Sequence, residues 1–316
     1  MKKDIIIDCD PGQDDAIALM LAFAALDKIN ILGITTVAGN VQLKMTQRNA
    51  RLICEKLGVY DISVFSGCEK PLFRNLVTAE EYHGENGLNG IDIFEPKIPL
   101  QDKNAIQFII EELKKAESES ISIIGIGPLT NIAMVLLQEP HLKKKIKEII
   151  IMGGSYFEGG NVTAAAEFNF YVDPHAVQIV IDSDIPVTIF GLDATHQARV
   201  SKKIRHEIDD LPETVATDIL KVSIDYFASA YKEIYGQSEP PIHDVLTIAY
   251  LIEPGLFEGR KCNVSIETTS ELTMGASVVD YWNLTNKKKN VNWIDKVNSE
   301  GFFELLLNRI ATLKEN

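Results

Sequence analysis

The sequence contains no apolar run long enough to cross a membrane, for which about 18 uncharged apolar residues are required. Its first residues, Met-Lys-Lys-Asp, lead directly into a strand-like segment rather than into the apolar region of a signal peptide. The four cysteines (Cys9, Cys54, Cys68 and Cys262) show no Cys-x-x-Cys spacing, so neither a zinc site nor a disulfide framework is predicted. We therefore expect a cytoplasmic protein with reduced thiols.

Positive charge is also scarce, since the formal net charge of the chain is -14. This balance disfavours a nucleic-acid backbone or an anionic membrane as the main partner, because both require a basic surface. Internal repeats, low-complexity tracts and linkers are absent from the 316 residues. We expect one domain over residues 1–316 and a small-molecule ligand.

Strand-like and helix-like segments alternate from the start of the chain. Ile5–Ile7 is a short apolar run followed by Pro11 and Gly12, and an apolar-periodic helix is predicted from Asp14. Two further strand and helix patterns follow before residue 66. This β-α-β-α-β order predicts an α/β fold, with a mostly parallel central sheet flanked by helices and the active site at the carboxyl ends of the strands.

The remaining elements are predicted from the same periodicities. The predicted strands are Ile31–Val37, Ile62–Ser66, Ile121–Ile126, Glu148–Met152 and Pro186–Phe190, with short strands between Cys262 and Trp282. The predicted helices are Asp14–Lys28, Lys44–Leu57, Ala105–Ala116, a segment from Leu129, a segment that begins at Pro174 after a cap at Asp173, a helical pattern over Ser201–Tyr235 broken near Leu211, a segment from His243 to about Ile252, and Phe302–Leu313. Tyr82–Gly90 is rich in glycine and asparagine and is predicted to be a mobile loop.

Four carboxylates, those of Asp8, Asp10, Asp14 and Asp15, crowd the first strand-to-helix turn. Like charges this close repel unless a cation lies among them, and oxygen ligands favour Ca²⁺ or Mg²⁺ over a soft metal. An acidic helix N-terminus is the alternative explanation, although the macrodipole ordinarily accounts for only one or two such residues. The turn therefore predicts a divalent metal site.

Polar residues follow other strands of the predicted sheet. Asn40 comes after the second strand, and a loop after the Glu148–Met152 strand carries Asn161, Glu167 and Asn169. His243 and Asp244 follow a proline stop and begin an apolar helix. The asparagines could also serve only their own loop backbone, and His243 could be a capping or solvent-facing residue.

Four motifs occur together in this order: Asp8-Cys-Asp-Pro-Gly-Gln-Asp-Asp15, Gly127-Pro-Leu-Thr-Asn131, Ala166-Glu-Phe-Asn169 and His243-Asp244. The set closely resembles the nucleoside hydrolase family of the inosine/uridine-preferring type, over about residues 4–310. The resemblance implies a parallel-sheet core that binds one calcium ion, Ca²⁺, at the strand ends. It further implies hydrolysis of the N-glycosidic bond of ribonucleosides, and a homodimer or homotetramer.

The resemblance also implies roles for individual residues. Asp10, Asp15 and Asp244 match the calcium ligands, together with the backbone carbonyl of Ile126. The groups that match ribose-binding residues are Asp14, Asn40, Asn161, Glu167 and Asn169. His83 and His243 match residues near the base, where the purine-specific branch has tryptophan, so the nonspecific or pyrimidine-preferring branch is favoured. Tyr231 and Tyr235 resemble a helix that reaches toward the base.

Chemistry adds a mechanism to this resemblance. Cleavage of an N-glycosidic bond gives an oxocarbenium-like ribosyl group and a base that departs with negative charge. We expect a calcium-bound water as nucleophile with Asp10 as its general base, and His243 as the acid that assists the base. Two alternatives stay open: a magnesium-dependent aspartyl phosphohydrolase, suggested by Asp8-x-Asp10, and a non-catalytic nucleoside or pentose-binding protein.

Overall fold

The computed structural model describes residues 2–313, which contain one nine-stranded sheet and twelve α-helices. The strands are β1 (Lys3–Cys9), β2 (Ile29–Thr36), β3 (Val64–Ser66), β4 (Ile121–Gly125), β5 (Ile146–Met152), β6 (Val187–Phe190), β7 (Phe257–Ile266), β8 (Ser277–Asp280) and β9 (Val291–Val297). The helices are α1 (Gln13–Phe23), α2 (Leu43–Lys56), α3 (Glu80–His83), α4 (Ala105–Lys115), α5 (Thr130–Gln138), α6 (Phe168–Val172), α7 (Pro174–Ile181), α8 (Leu192–Thr195), α9 (Lys202–Asp209), α10 (Val215–Tyr235), α11 (Val245–Ile252) and α12 (Ser299–Ile310).

The strands lie in the order β3-β2-β1-β4-β5-β6-β9-β7-β8. The first seven in this order are parallel to their neighbours, and β7 and β8 are added at one edge as antiparallel strands. The predicted α/β class with a mostly parallel sheet is therefore confirmed.

Side chains on the two faces of the central strands enter two different apolar clusters. In β1, Ile5 and Ile7 join one cluster and Ile6 joins the other, because successive residues of a strand point to opposite faces. Helices α1, α2, α10, α11 and α12 contribute to the first cluster, and α4, α5 and α7 to the second. Both faces of the sheet are thus covered, as near-continuous apolar strands require.

Several predicted boundaries agree with the structure. The helical pattern over residues 201–235 divides into α9 and α10, and the side chain of Asp173 caps α7 by accepting a hydrogen bond from the Ala176 amide (3.1 Å).

The four cysteines are free. Among residues 2–313 we find no helix that has both the length and the apolar character required to cross a membrane.

Two predictions about elements were wrong in part, and one strand was missed. Helix α1 ends at Phe23 rather than Lys28, and the chain turns there. The predicted Tyr82–Gly90 loop begins inside helix α3, which ends at His83. Strand β9 was not predicted. It lies between β6 and β7 in the sheet, parallel to β6 and antiparallel to β7.

Candidate active site

The turn between β1 and α1 is held by the side chain of Asp15, the third residue of the helix. One of its carboxylate oxygens accepts a hydrogen bond from the Asp10 amide (3.1 Å), and the other accepts from the Gly12 amide (3.0 Å) and from Asn40 Nδ2 (3.1 Å). Asp15 therefore caps its own helix and ties the loop after β2 to the end of β1.

The carboxylates of Asp14, Asp15 and Asp244 come together at this turn. One oxygen from each lies within 4.8 Å of the others, and all three side chains are buried. Asp244 reaches the cluster because it immediately precedes α11, which packs against α1. Burial, and the negative charge of neighbouring carboxylates, raise the pKa of Asp15 and Asp244, and burial raises that of Asp14. Such a group of oxygens suits a hard divalent cation, which would restore the ionised forms.

Asp10 lies beside this cluster and presents a carboxylate oxygen without a partner. Its Oδ2 accepts from the Asn40 amide (2.7 Å), whereas its buried Oδ1 has no hydrogen-bond partner in residues 2–313. Gly127 allows this approach, since a Cβ there would lie 2.4 Å from Asp10 Oδ1. An unpaired buried acceptor costs about 1–3 kcal/mol, so the site fits an additional cation, or a proton donor, at Oδ1.

The predicted calcium ligands are Asp10, Asp15, Asp244 and the carbonyl of Ile126. The three carboxylates that lie within 4.8 Å of one another are instead those of Asp14, Asp15 and Asp244. That group includes Asp14, which was assigned to ribose, and leaves Asp10 at its side. The Ile126 carbonyl lines the same cavity and already accepts from Asn169 Nδ2 (3.2 Å). A carbonyl oxygen has a second lone pair, so this contact leaves Ile126 able to contribute.

Asp8, the fourth carboxylate of the turn, points elsewhere. Its Oδ1 accepts from Thr35 Oγ1 (2.5 Å) and from Asn131 Nδ2 (2.8 Å). Asn131 Oδ1 in turn accepts from the Cys68 amide (2.8 Å). Asp8 thus joins β1 to β2 and to the start of α5, and its Oδ2, like Asp10 Oδ1, is buried without a hydrogen-bond partner in residues 2–313. Of the four carboxylates predicted at the turn, Asp14 and Asp15 lie in the cluster, Asp10 lies beside it, and Asp8 does not belong to it.

The predicted ribose-binding residues line one cavity together with Asp244 of the acidic cluster. Glu167 caps α6, and its carboxylate accepts from the amides of Asn169 (2.9 Å), Phe170 (3.1 Å) and Gly154 (2.8 Å). Burial nevertheless raises the pKa of Glu167 to about 7. The Asn161 side-chain oxygen accepts from the Phe168 amide (2.9 Å). These two residues therefore shape their own loop as well as facing the cavity, together with Asp14, Asn40 and Asn169.

The two histidines of the prediction also line the cavity. His83 Nδ1 pairs with the side-chain amide of Gln13 (2.8 Å), and its ring packs edge-on against Phe227. His243 Nδ1 pairs with Thr195 Oγ1 (2.8 Å). Burial lowers the pKa of both imidazoles to about 3, with the charges of His196, His83 and Arg199 adding to the effect on His243. Both rings are therefore neutral at pH 7, and each has its Nε2 left for the cavity.

The cavity measures about 650 Å³, which falls within the usual range for a small-molecule site. The acidic cluster lies at one end. Helices α3 and α10 cross its mouth, where the hydroxyl groups of Tyr82 and Tyr235 form a hydrogen bond and Tyr235 Oη donates to the Asn161 carbonyl (3.3 Å). Tyr231 lies one turn earlier on α10 and also faces the cavity.

Sequence analysis missed several residues of the cavity wall. Glu158 pairs with His196 (Oε2 to Nδ1, 2.9 Å), whose ring lies 6.0 Å from that of His243. Asp193 accepts hydrogen bonds from the backbone amides of residues 156–158 and thereby shapes the loop after β5. The only signal available was their position next to predicted strand ends, because their partners are remote in sequence.

Comparison with known proteins agrees with the geometry. The family model described as inosine-uridine preferring nucleoside hydrolase matches residues 5–304. An uncharacterised protein of Schizosaccharomyces pombe is 44% identical over 98% of this chain and 99% of its own. The pyrimidine-specific ribonucleoside hydrolase RihA of Shewanella oneidensis is 42% identical, covering 98% of this chain and 97% of its own. The structure of a purine-preferring ribonucleoside hydrolase from Gardnerella vaginalis matches with a TM-score of 0.90 and 30% identity, covering 98% and 99% of the two chains.

Proposed function

The chain belongs to the inosine-uridine preferring nucleoside hydrolase family and is a ribonucleoside hydrolase, and from this premise we propose how its residues carry out the reaction. The observation that carries the proposal is the unpartnered, buried Oδ1 of Asp10, whose backbone amide donates to Asp15 of the carboxylate cluster, while Asp14 and Asp244 of that cluster line the cavity. A buried carboxylate oxygen with no donor is poised to accept a proton or to bind a cation.

The resident ion of the proposal is Ca²⁺. Asp10, Asp15 and Asp244, with the Ile126 carbonyl, would hold it, and Asp14 lies close enough to Asp15 and Asp244 to be a further ligand. When bound, the ion supplies positive charge that binds sugar hydroxyls and lowers the pKa of a water molecule at the site. The donors present are all oxygens, which fits calcium or magnesium and not a thiolate-seeking metal.

Asp10 is the proposed general base. Its Oδ2 is fixed by the Asn40 amide, so Oδ1 can take the proton of the attacking water without a change of rotamer. The attack gives inversion at the anomeric carbon in a single displacement. Deprotonation of water and attack on the sugar thus take place at the acidic end of the cavity.

The sugar is proposed to be oriented by Asp14, Asn40, Asn161, Glu167 and Asn169. These side chains face the same cavity, and Glu167 and Asn169 are fixed by hydrogen bonds to backbone groups. A rigid set of contacts to hydroxyls remote from the broken bond can hold the ribose in a reactive geometry.

The leaving base is proposed to lie toward His83 and His243. Since the pKa of His243 is lowered to about 3, this residue acts from its neutral form, with Thr195 Oγ1 donating to Nδ1 and the Nε2 hydrogen directed to the base. The imidazole then donates a hydrogen bond from Nε2 as negative charge develops on the base.

Pyrimidine ribonucleosides are the proposed preferred substrates. The RihA relative is named pyrimidine-specific, and histidine occupies positions 83 and 243. The Gardnerella protein is named purine-preferring at lower identity, so the substrate panel must include purines. The values of kcat/KM for uridine and cytidine should exceed those for inosine and adenosine, and the opposite order would contradict this preference.

The two alternatives from the sequence find little support. An aspartyl phosphohydrolase would need Asp8 and Asp10 to act at one metal, but Asp8 Oδ1 is taken up by Thr35 and Asn131. A binding protein would have no use for a buried, unpartnered base next to the sugar site.

The direct test is release of reducing sugar from uridine, cytidine, inosine and adenosine, with and without a chelator. We expect ribose from at least uridine, loss of activity with the chelator, and recovery with Ca²⁺. Absence of ribose from every common nucleoside would contradict the proposal, and phosphate release from sugar phosphates would favour the phosphohydrolase.

The resemblance also leads us to propose a cytoplasmic homodimer or homotetramer built from single-domain subunits. Sedimentation equilibrium measures the assembly, and a monomer at micromolar concentration would contradict it. Limited proteolysis followed by separation of the fragments tests the single domain, because two stable pieces would indicate two domains.

A further inference from the structure

Arg199 is a half-buried cation in the cavity wall whose partners are all neutral. Its Nη1 donates to Tyr231 Oη (3.2 Å), Gln237 Oε1 (3.1 Å) and the Glu239 carbonyl (3.3 Å), and its Nε donates to the His196 carbonyl (3.1 Å). Within the part of the chain that the structure describes, no carboxylate forms an ion pair with it. Its positive charge is therefore not cancelled by a direct partner.

Arg205, six residues further along the chain, shows the contrast. It forms ion pairs with Asp209 (3.4 Å) and Asp225 (2.5 Å). It lines a different, smaller surface depression. Arg205 thus has its charge paired with carboxylates, whereas Arg199 has only neutral partners.

A series of contacts connects Arg199 to the acidic cluster along the cavity wall. Asp244 of the cluster is followed by its neighbour His243, the ring of His196 lies 6.0 Å from that of His243, and the His196 carbonyl accepts from Arg199.

This arrangement matches the charge separation in the reaction. When the bond between C1′ and the base nitrogen breaks, its electron pair leaves with the base and the ribosyl group becomes cationic. With the substrate placed as proposed above, the carboxylates lie beside the ribosyl group, and the Arg199 guanidinium lies on the side of His243, where the base departs. Fixed charges aimed at developing charge lower the barrier without reorganisation.

Tyr231 connects the guanidinium to the cavity. Because its Oη accepts from Arg199, its own hydrogen is free to donate, and no acceptor for that hydrogen is found among residues 2–313. The guanidinium also lies 5.7 Å from the centre of the Tyr231 ring. A phenol that accepts from a cation is a stronger hydrogen-bond donor than a free one.

We propose that Arg199 is a positioning residue for the leaving base: it fixes and polarises the Tyr231 hydroxyl, which donates to a carbonyl oxygen of the departing base. This inference rests on the proposed ribonucleoside hydrolysis and adds the residue that assists departure of poor leaving groups. Bases with a carbonyl oxygen that carries the anionic charge, such as uracil, gain most from it.

The test compares leaving groups of different ability. Arg199→Met keeps the length of the side chain and removes its charge and donors. The kcat for uridine should fall by about tenfold to a hundredfold, less than the 10²- to 10³-fold known for a direct oxyanion donor because Arg199 acts through Tyr231. 5-Fluorouridine, a better leaving group, should lose less than uridine. p-Nitrophenyl riboside, which needs no assistance, should lose less than about threefold, since assistance contributes little to its barrier.

Three further variants separate this role from a structural one. Arg205→Met is the matched control and should leave all three kcat values unchanged. Tyr231→Phe should reproduce the leaving-group pattern of Arg199→Met, and it keeps the test available if Arg199→Met fails to fold. Arg199→Lys should restore part of the uridine rate because it returns the charge without the second donor.

Equal losses on uridine, 5-fluorouridine and p-nitrophenyl riboside in both Arg199→Met and Tyr231→Phe would overturn the inference, as would no loss on any of them. In either case a wild-type protein that hydrolyses uridine leaves the proposed function standing. A wild-type protein that releases ribose from none of the substrates overturns the proposed function and this inference together.

Discussion

Replacement of Asp10 by asparagine tests the central step of the proposed mechanism. In Asp10→Asn the side-chain oxygen can still accept from the Asn40 amide, as Oδ2 does at 2.7 Å, while an amide nitrogen takes the place of the unpartnered Oδ1. The shape is kept, and the base is removed. A positioned general base typically contributes 10²- to 10⁴-fold, so kcat should fall by that range, or about 3–5 kcal/mol of transition-state stabilisation.

The same substitution should not destabilise the fold. Burial, together with the charge of Asp15, raises the pKa of Asp10 well above its ordinary value, so the ionised carboxylate is unfavourable in the metal-free protein. Removing that charge should leave the melting temperature of the metal-free protein equal to or above that of the wild type at pH 8. Asp10→Ala should likewise abolish turnover and leave the fold intact.

The assay is steady-state release of ribose from uridine at saturating Ca²⁺, with thermal unfolding followed in parallel. Asp8→Asn is the matched control, because Asp8 is equally buried two residues away and its Oδ1 contacts with Thr35 and Asn131 survive as an amide oxygen. A near-normal kcat for Asp10→Asn would remove Asp10 from the role of base. Equal losses in the two variants would refute the reasoning by showing a general sensitivity of the turn.

Three further predictions concern the metal, His243 and Gly127. In the metal-free protein the raised carboxylate pKa values mean that the native state binds more protons than the unfolded state between about pH 4 and pH 8, so its stability should fall as pH rises. Ca²⁺ at 100 times its Kd at pH 8 should raise the free energy of unfolding at that pH by about 2.7 kcal/mol, or the melting temperature by roughly 5 °C, and the same Ca²⁺ concentration should add clearly less at pH 5.5. Calorimetry measures both gains, and equal gains at the two pH values would count against the cluster as the binding site. His243→Ala should cost about 100-fold in kcat on inosine and little on p-nitrophenyl riboside, whereas equal losses would contradict a leaving-group role. Gly127→Ala places a Cβ 2.4 Å from Asp10 Oδ1 and should cost about 100-fold in kcat with the fold retained by circular dichroism; unchanged turnover would show that the position of this oxygen is not critical.

Much of the fold could be predicted because its signals are local. The apolar run of β1, the cap at Asp173 before Pro174 and the break near Leu211 each depend on residues a few positions apart. Strand β9 escaped prediction because its alternation is interrupted by the apolar pair Trp293-Ile294 and the charged pair Asp295-Lys296. Its strand conformation also depends on pairing with β6 and β7, which are distant in sequence.

The site divides in the same way. Sequence motifs placed Asp10, Asp14 and Asp15 on one turn, and the family resemblance added Asp244, but only the packing of α11 on α1 brings Asp244 to within 4.8 Å of Asp14 and Asp15. The burial of His83 against Phe227, and its pairing with Gln13, likewise required helix α10 to cross the short helix α3.

By itself, then, the sequence determined the α/β class, the acidic turn and the family, because backbone preferences and motif spacing act over short stretches of chain. Only the tertiary structure decided which oxygen of Asp10 lacks a partner, that Asp8 faces Asn131 instead of the cluster, and that Arg199 lies unpaired beside Tyr231. Those contacts join residues from 32 to 123 positions apart, and no local pattern encodes the distance between side chains that meet only when the helices pack on the sheet.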